Sequence, residues 1–352
     1  MKKIPFAHLA AAVILLAVTG MQASGAQAPS PQAKPPCNSA SFGENYQLGA
    51  KLLHQEMAID AVPYLETAHQ MCPSDYSAGR DLVIAYGKSG SMQKAATIAQ
   101  EILSHNDVAE LHSLLGELYA ERGDLRPAAE QYQQAAQLDP SEDNIFDFGT
   151  SLLRFAGDSA LRIFRFGVEK YPNSEKMHLG LGSALYEQGL IDEAVTEAYK
   201  ASEINPTDAE PLELLGKMGY IPPPLTSAVI QRLSALCKLY PHNARLVYYY
   251  AMALSGRWSN LPATESSRVL EMLKTATEMD PAFAEAYFQL GQTYQEQDRP
   301  VDALLSYQQA VKFGPQQESY HYRLALAYKK CGHAEESHRE MQIYQKLHSK
   351  AK

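Results

Sequence analysis

After Gly20 the 352-residue chain has no second hydrophobic segment, so no span is expected once the N-terminal segment is removed. It also lacks a positive excess: the formal net charge is −9. An acidic chain repels phosphate backbones, and no basic stripe interleaves with aromatics, which argues against general nucleic-acid binding. The exception is Arg323–Lys352, where seven Lys and Arg face three Glu, the pattern of a solvated end helix. H-E-x-x-H, G-x-S-x-G and P-loop patterns are missing. Cys331, His333 and His338 lie close together, but their spacing fits no usual zinc pattern. Neither a metal nor a cofactor is expected, and the chain does not read as an enzyme.

What is present begins with an export pattern. Lys2 and Lys3 precede an apolar run, Leu9–Gly20, that is too short to cross a bilayer comfortably, and Ala26–Ala28 offers small residues for cleavage. This predicts a signal peptide over residues 1–28 and a periplasmic or secreted mature chain. Residues 29–41 open with "PSPQAKPP", which cannot hold helix hydrogen bonds and reads as an extended linker.

Everything after the linker is one repeated pattern. A Leu-Gly step recurs at Leu48-Gly49, Leu115-Gly116, Leu181-Gly182, Leu215-Gly216 and Leu290-Gly291, with Phe148-Gly149 as a variant. Leu82-Val83, Tyr250-Ala251 and Leu324-Ala325 fill the gaps. A small residue follows at Ala61, Ala95, Ala128, Ala160, Ala194 and Ala303, and units close at Pro73, Pro140, Pro172, Pro206, Pro241, Pro281 and Pro315. Between these marks, apolar residues recur at helical spacing, as in Leu304, Tyr307 and Val311. Short polar turns such as Glu121–Asp124 separate two helices, and the proline stops the second. The recurring Gly is therefore a helix-contact residue. The Gly-x-Gly of "HLGLGS" lies inside a first helix with no strand before it, so it is no nucleotide loop.

This pattern resembles the tetratricopeptide repeat over about residues 42–351. The resemblance implies an all-α fold: a right-handed α-solenoid of stacked helix-turn-helix repeats, with first helices lining a concave face. Nine units are read, at 42–75, 76–108, 109–141, 142–174, 175–208, 209–243, 244–283, 284–317 and 318–351. Two depart from the pattern. Gly219–Val229 places three prolines where a first helix finishes, which should cut that helix short. Ser255–Ser267 lengthens unit seven and carries Trp258, the only Trp.

Cys37 precedes the first helix and Cys72 ends the second; antiparallel helices bring those points together, and export permits oxidation. A Cys37–Cys72 disulfide is expected, contributing about 3 kcal/mol on the chain-entropy model. Cys237 and Cys331 read as buried single thiols. His112 and His178 hold the same place in two first helices, which points to repeat packing.

The resemblance implies that partner peptides lie against the first helices. The two-carboxylate clamp of some relatives, built from Lys, Asn and Arg, has no matching set here. The candidate groove residues are instead Tyr248, Tyr249, Phe288, Gln292, Tyr322 and Arg323. The expected function is a non-catalytic exported scaffold that binds other proteins or extended peptides. The alternative is an accessory subunit recognising carbohydrate or small ligands beside a separate enzyme.

Overall fold

The computed structural model describes Cys37, residues 39–256 and residues 266–350. The expected signal peptide, most of the expected linker, and Trp258 with most of its insertion lie outside the described residues.

The chain is an all-helical, right-handed solenoid. Its paired helices are α1 (Ala40–His54) and α2 (Ala58–Met71), α3 (Tyr76–Lys88) and α4 (Met92–Leu103), α5 (Ala109–Glu121) and α6 (Leu125–Leu138). Next come α7 (Glu142–Leu152) and α8 (Gly157–Lys170), α9 (Glu175–Glu187) and α10 (Ile191–Ile204), α11 (Glu210–Met218) and α12 (Thr226–Leu239). The last are α13 (Ala244–Leu254) and α14 (Ser266–Met279), α15 (Ala284–Glu296) and α16 (Pro300–Phe313), α17 (Glu318–Lys330) and α18 (Ala334–Lys350). Among the described residues no helix is long and apolar enough to cross a membrane.

Local sequence sets the helix ends. Ser39, Asp75, Ser141, Ser174 and Asn243 each accept a hydrogen bond from the backbone N–H three residues on, satisfying a donor the helix leaves open. The Ser39 cap starts α1 at Ala40, inside the segment read as linker. In the turn between paired helices, one position eight residues after the unit's Leu takes a left-handed backbone. Gly189 fills it at φ 74°, and Glu56 and Asp298 occupy it at 60° and 52° despite their side chains.

Packing follows from the Leu-Gly step. A Cβ on Gly149 would stand 2.8 Å from the Phe164 ring, and one on Gly291 would stand 2.7 Å from the Tyr307 ring. Gly therefore lets the second helix press its largest side chain against the first. Phe164 and Tyr307 are fully buried, and burying such a ring contributes about 2–3 kcal/mol. Consecutive helices pack throughout, with one exception described below. First helices of neighbouring units also touch, from α1 against α3 through to α11 against α13, while second helices form no comparable pairs. First helices thus converge and second helices splay, which makes the first helices the inner, concave wall.

Unit six is the exception. Gly219 ends α11 in a left-handed conformation after nine residues, and Pro223–Leu225 forms a 3-10 turn. The helix α12 then packs mainly on α13 instead of returning along α11. The place that a second helix should fill against Gly216 is taken by the Tyr249 ring of α13.

Candidate functional site

The six candidate groove residues do not form one surface. Tyr249 fills the slot over Gly216 and is 7% exposed; Tyr248 is 8% exposed. The Tyr248 ring packs against Tyr249 (centroids 5.6 Å apart) and Phe283 (5.0 Å). Both are core residues of the joint, because the prolines of unit six removed the helix that would have left them facing outward. Phe288 is half-buried, stacked on Tyr320 at 4.6 Å and tilted against Tyr307 at 5.8 Å. Tyr322 is 39% exposed but leans on Tyr344 of α18, 5.2 Å away.

Gln292 and Arg323 do come together. With Gln295 and Glu296 they line a cavity of about 480 Å³ that bridges the first helices α15 and α17. Gln292, Gln295 and Glu296 sit one helical turn apart on one side of α15, and Arg323 enters from the first turns of α17. The Tyr307 hydroxyl donates to Gln295 Oε1 at 3.0 Å, fixing that amide and leaving its NH₂ free to donate. Two amides, a carboxylate and a guanidinium supply both donors and acceptors, the mixture that suits main-chain amides and a carboxylate. Sequence reading reached Gln292 and Arg323 but missed Gln295 and Glu296, which the helical spacing from Gln292 could have supplied.

Further along the inner wall lie carboxylates. Glu117 on α5 and Asp147 on α7 both have carboxyl groups raised above the usual carboxylate range. Partial loss of water is the first cause; like charge follows, from Asp147 and Glu121 on Glu117 and from Asp143 on Asp147. The concave face is therefore acidic in units three and four and carries a guanidinium in unit nine.

His112, His178 and His321 share one place in their first helices and tie neighbouring segments together. His178 Nδ1 lies 2.6 Å from Glu197 Oε2, and Nε2 lies 3.0 Å from the Pro172 carbonyl of the preceding unit. Both partners are acceptors, an arrangement that favours the doubly protonated ring. The Glu197 hydrogen bond is the main cause that raises this imidazole above its usual range, against burial. His321 repeats the geometry with Glu340 (2.6 Å) and the Pro315 carbonyl (3.0 Å). His112 meets Gln131 and Asp107 instead.

Cys37 and Cys72 are joined, with Cα atoms 5.2 Å apart, tying α1's approach to the end of α2. Cys237 and Cys331 are free and half-buried; burial pushes the Cys237 thiol up to about 11. Among the described residues no cluster of His, Cys, Asp and Glu could hold a metal ion.

A second cavity, of about 590 Å³, opens between the second helices α6 and α8, with α7 as its floor. It faces the outer side, with an apolar floor of Ile145, Phe148 and Leu152 and polar or charged residues of α6 and α8, among them Gln133 and Arg162, in its lining. Sequence reading missed it, since it searched only the first-helix face.

Three family models described as tetratricopeptide repeat match the chain, over residues 109–142, 157–209 and 272–304. The chain carries tetratricopeptide repeats. Their solved relatives in fold include a tetratricopeptide repeat protein from Parabacteroides merdae, at 16% identity over 82% of this chain and 99% of that one (TM-score 0.45). YrrB, a TPR protein with an unusual peptide-binding site, is 19% identical over 48% of this chain and 89% of its own (TM-score 0.42). Pseudomonas aeruginosa pilF is 16% identical over 60% of this chain and 97% of its own (TM-score 0.47). No curated protein matches the sequence.

Proposed function

We propose that the chain is an exported, non-catalytic adaptor that holds an extended peptide segment of another protein along its concave face. The carrying observation is the inner cavity of Gln292, Gln295, Glu296 and Arg323. Extended peptides expose unpaired backbone N–H and C=O groups, and side-chain amides on a rigid helix answer them without forming a sheet. Arg323 supplies the group that a peptide carboxylate, terminal or side-chain, would meet. The acidic stretch at Glu117 and Asp147 suits a basic residue at the other end, which gives the bound segment a direction.

Export rests on the N-terminal pattern of Lys2, Lys3, Leu9–Gly20 and Ala26–Ala28, and on a paired Cys37–Cys72 that an oxidising compartment would preserve. The carbohydrate reading would need open ring faces for sugar stacking. Tyr248 and Tyr249 are buried, Phe288 is stacked on Tyr320, and Tyr322, though exposed, leans on Tyr344, so the candidate set offers no platform of adjacent open rings.

The test is an array of extended peptides with free or amidated C-termini, probed with wild type and Arg323→Glu. The reading predicts capture of acidic or free-carboxylate peptides that falls tenfold or more with Arg323→Glu. Equal capture by both proteins would overturn it.

A further inference from the structure

Unit six is held differently from its neighbours. Every other first helix lies along the second helix of its own unit, whereas α11 packs on α9 and α10 on one side and on α13 on the other. Side chains of the loop 205–210 fasten its start. Asn205 Nδ2 reaches back to the first turn of α9 and donates to Glu175 Oε2 at 2.8 Å. Asn205 Oδ1 accepts from the Thr207 N–H (3.3 Å) and hydroxyl (2.9 Å). Asp208 Oδ1 accepts from the Glu210 N–H at 2.9 Å, where α11 begins. The Tyr240 hydroxyl, just after α12, donates to the Thr207 carbonyl at 2.9 Å. One atom is left over. Glu175 Oε1 is sealed from water and has no hydrogen-bond donor among the described residues. Asp208 stands within hydrogen-bonding reach of the Glu175 carboxyl, but it too is an acceptor. Two carboxylates bond to each other only with a proton between them.

We propose that a proton shared by Glu175 and Asp208 latches α11 to α9, so that acid closes this joint of the concave wall and neutral pH loosens it. The cations of the surrounding helices are engaged elsewhere. Lys176 of α9 turns to Glu142 and Asp143 on α7. His178 turns to Glu197 and the Pro172 carbonyl, and Lys200 of α10 also meets Glu197. Arg232 of α12 acts on Tyr199, and Arg245 of α13 on Tyr249. The remaining charge facing the pair is that of Glu210, which is negative. Loss of water is the first cause that raises the Glu175 carboxyl above the usual range; the Asn205 bond opposes it, and Asp208 and Glu210 add to it. The latch is therefore complete below pH 4.5 and is lost as pH rises through the folded value. With no second helix along it, α11 is the element that yields. It belongs to the inner wall, so the latch sets whether that wall is continuous from unit five to unit seven, whatever the wall binds.

The test is amide exchange of the full chain, read by mass spectrometry as protection relative to the free peptide, at pH 4.5 and at about pH 7.5. The proposal predicts that protection of α11 falls about tenfold or more between the two, the effect of a carboxyl raised by one pH unit or more. Glu175→Gln makes the protonated latch permanent: its oxygen still accepts from Asn205 and its NH₂ donates to Asp208. In that variant α11 should be equally protected at both pH values. Asp208→Asn supplies the missing donor from the other side and keeps the cap on the Glu210 N–H, so it decides the matter if Glu175→Gln does not fold. Equal protection of α11 at both pH values in the wild type would overturn the proposal. So would a pH-dependent loss that both variants retain. Calcium that restored α11 protection at neutral pH in the wild type would also overturn it, since the pair would then hold a cation and not a proton.

Discussion

Units four and six fill the same slot in two ways. In unit four Phe164 comes from α8, the unit's own second helix, and lies between Gly149 of α7 and Gly180 of α9. In unit six the prolines turn α12 away, and Tyr249 arrives over Gly216 from the next unit. The glycine specifies a cavity of a certain depth, not the element that fills it. A ring of the right size satisfies it from either side, and the solenoid continues through a broken hairpin because the core strip stays filled.

The sharpest way to break the comparison is to remove each ring. Phe164→Ala and Tyr249→Ala should each cost about 3–5 kcal/mol in urea unfolding. A Tyr249→Ala protein as stable as wild type would show that Tyr249 is surface, and that the joint is not packed as the regular stack is.

The disulfide offers the next effect, at the N-terminal end. Cys37→Ser should cost about 3 kcal/mol, with faster amide exchange confined to α1 and α2. Non-reducing peptide mapping that found both thiols free would contradict the pairing.

His178 separates the regular stack from the joint by pH. Its imidazole is raised above the usual value, so its stabilisation is complete below about pH 6.5 and is lost as pH rises through the folded value. His178→Gln should cost about 2 kcal/mol at pH 6. The gap to wild type should narrow towards alkaline pH, read from urea midpoints across the range. The groups facing the ring are Glu197 and Lys200, and a gap that widened with pH would reverse the assignment.

The smallest effect lies at the turns. Glu56 adopts the backbone that Gly189 adopts in unit five. Glu56→Gly should relieve about 1 kcal/mol of strain and gain net stability of about 0.5 kcal/mol after the added chain entropy.

The repeat was legible because its marks are local. Leu-Gly steps, polar turns and closing prolines need no knowledge of distant residues, and they predict both the hairpins and the shortened α11. Burial of Tyr248 and Tyr249 was not legible, because position within the repeat placed them on the inner wall. Only the displacement of α12, a consequence of Gly219–Leu225 in the preceding unit, turns them inward. Gln292 and Arg323 were legible because units eight and nine are regular. The outer groove was not, since it depends on how Ala129 and Ala136 of one unit face Phe155 and Phe166 of the next.

The central claim is that the inner cavity at Gln292 and Arg323 receives a peptide segment of a partner. The most direct measurement places a photo-crosslinking side chain at Gln292 and, as a control, at exposed Gln133 on the outer face, in the full-length protein expressed in cells. The account predicts a discrete partner adduct from position 292, none from 133, and loss of the adduct when Arg323→Glu is added. An adduct from 292 that persists with Arg323→Glu, or equal adducts from both positions, would contradict it.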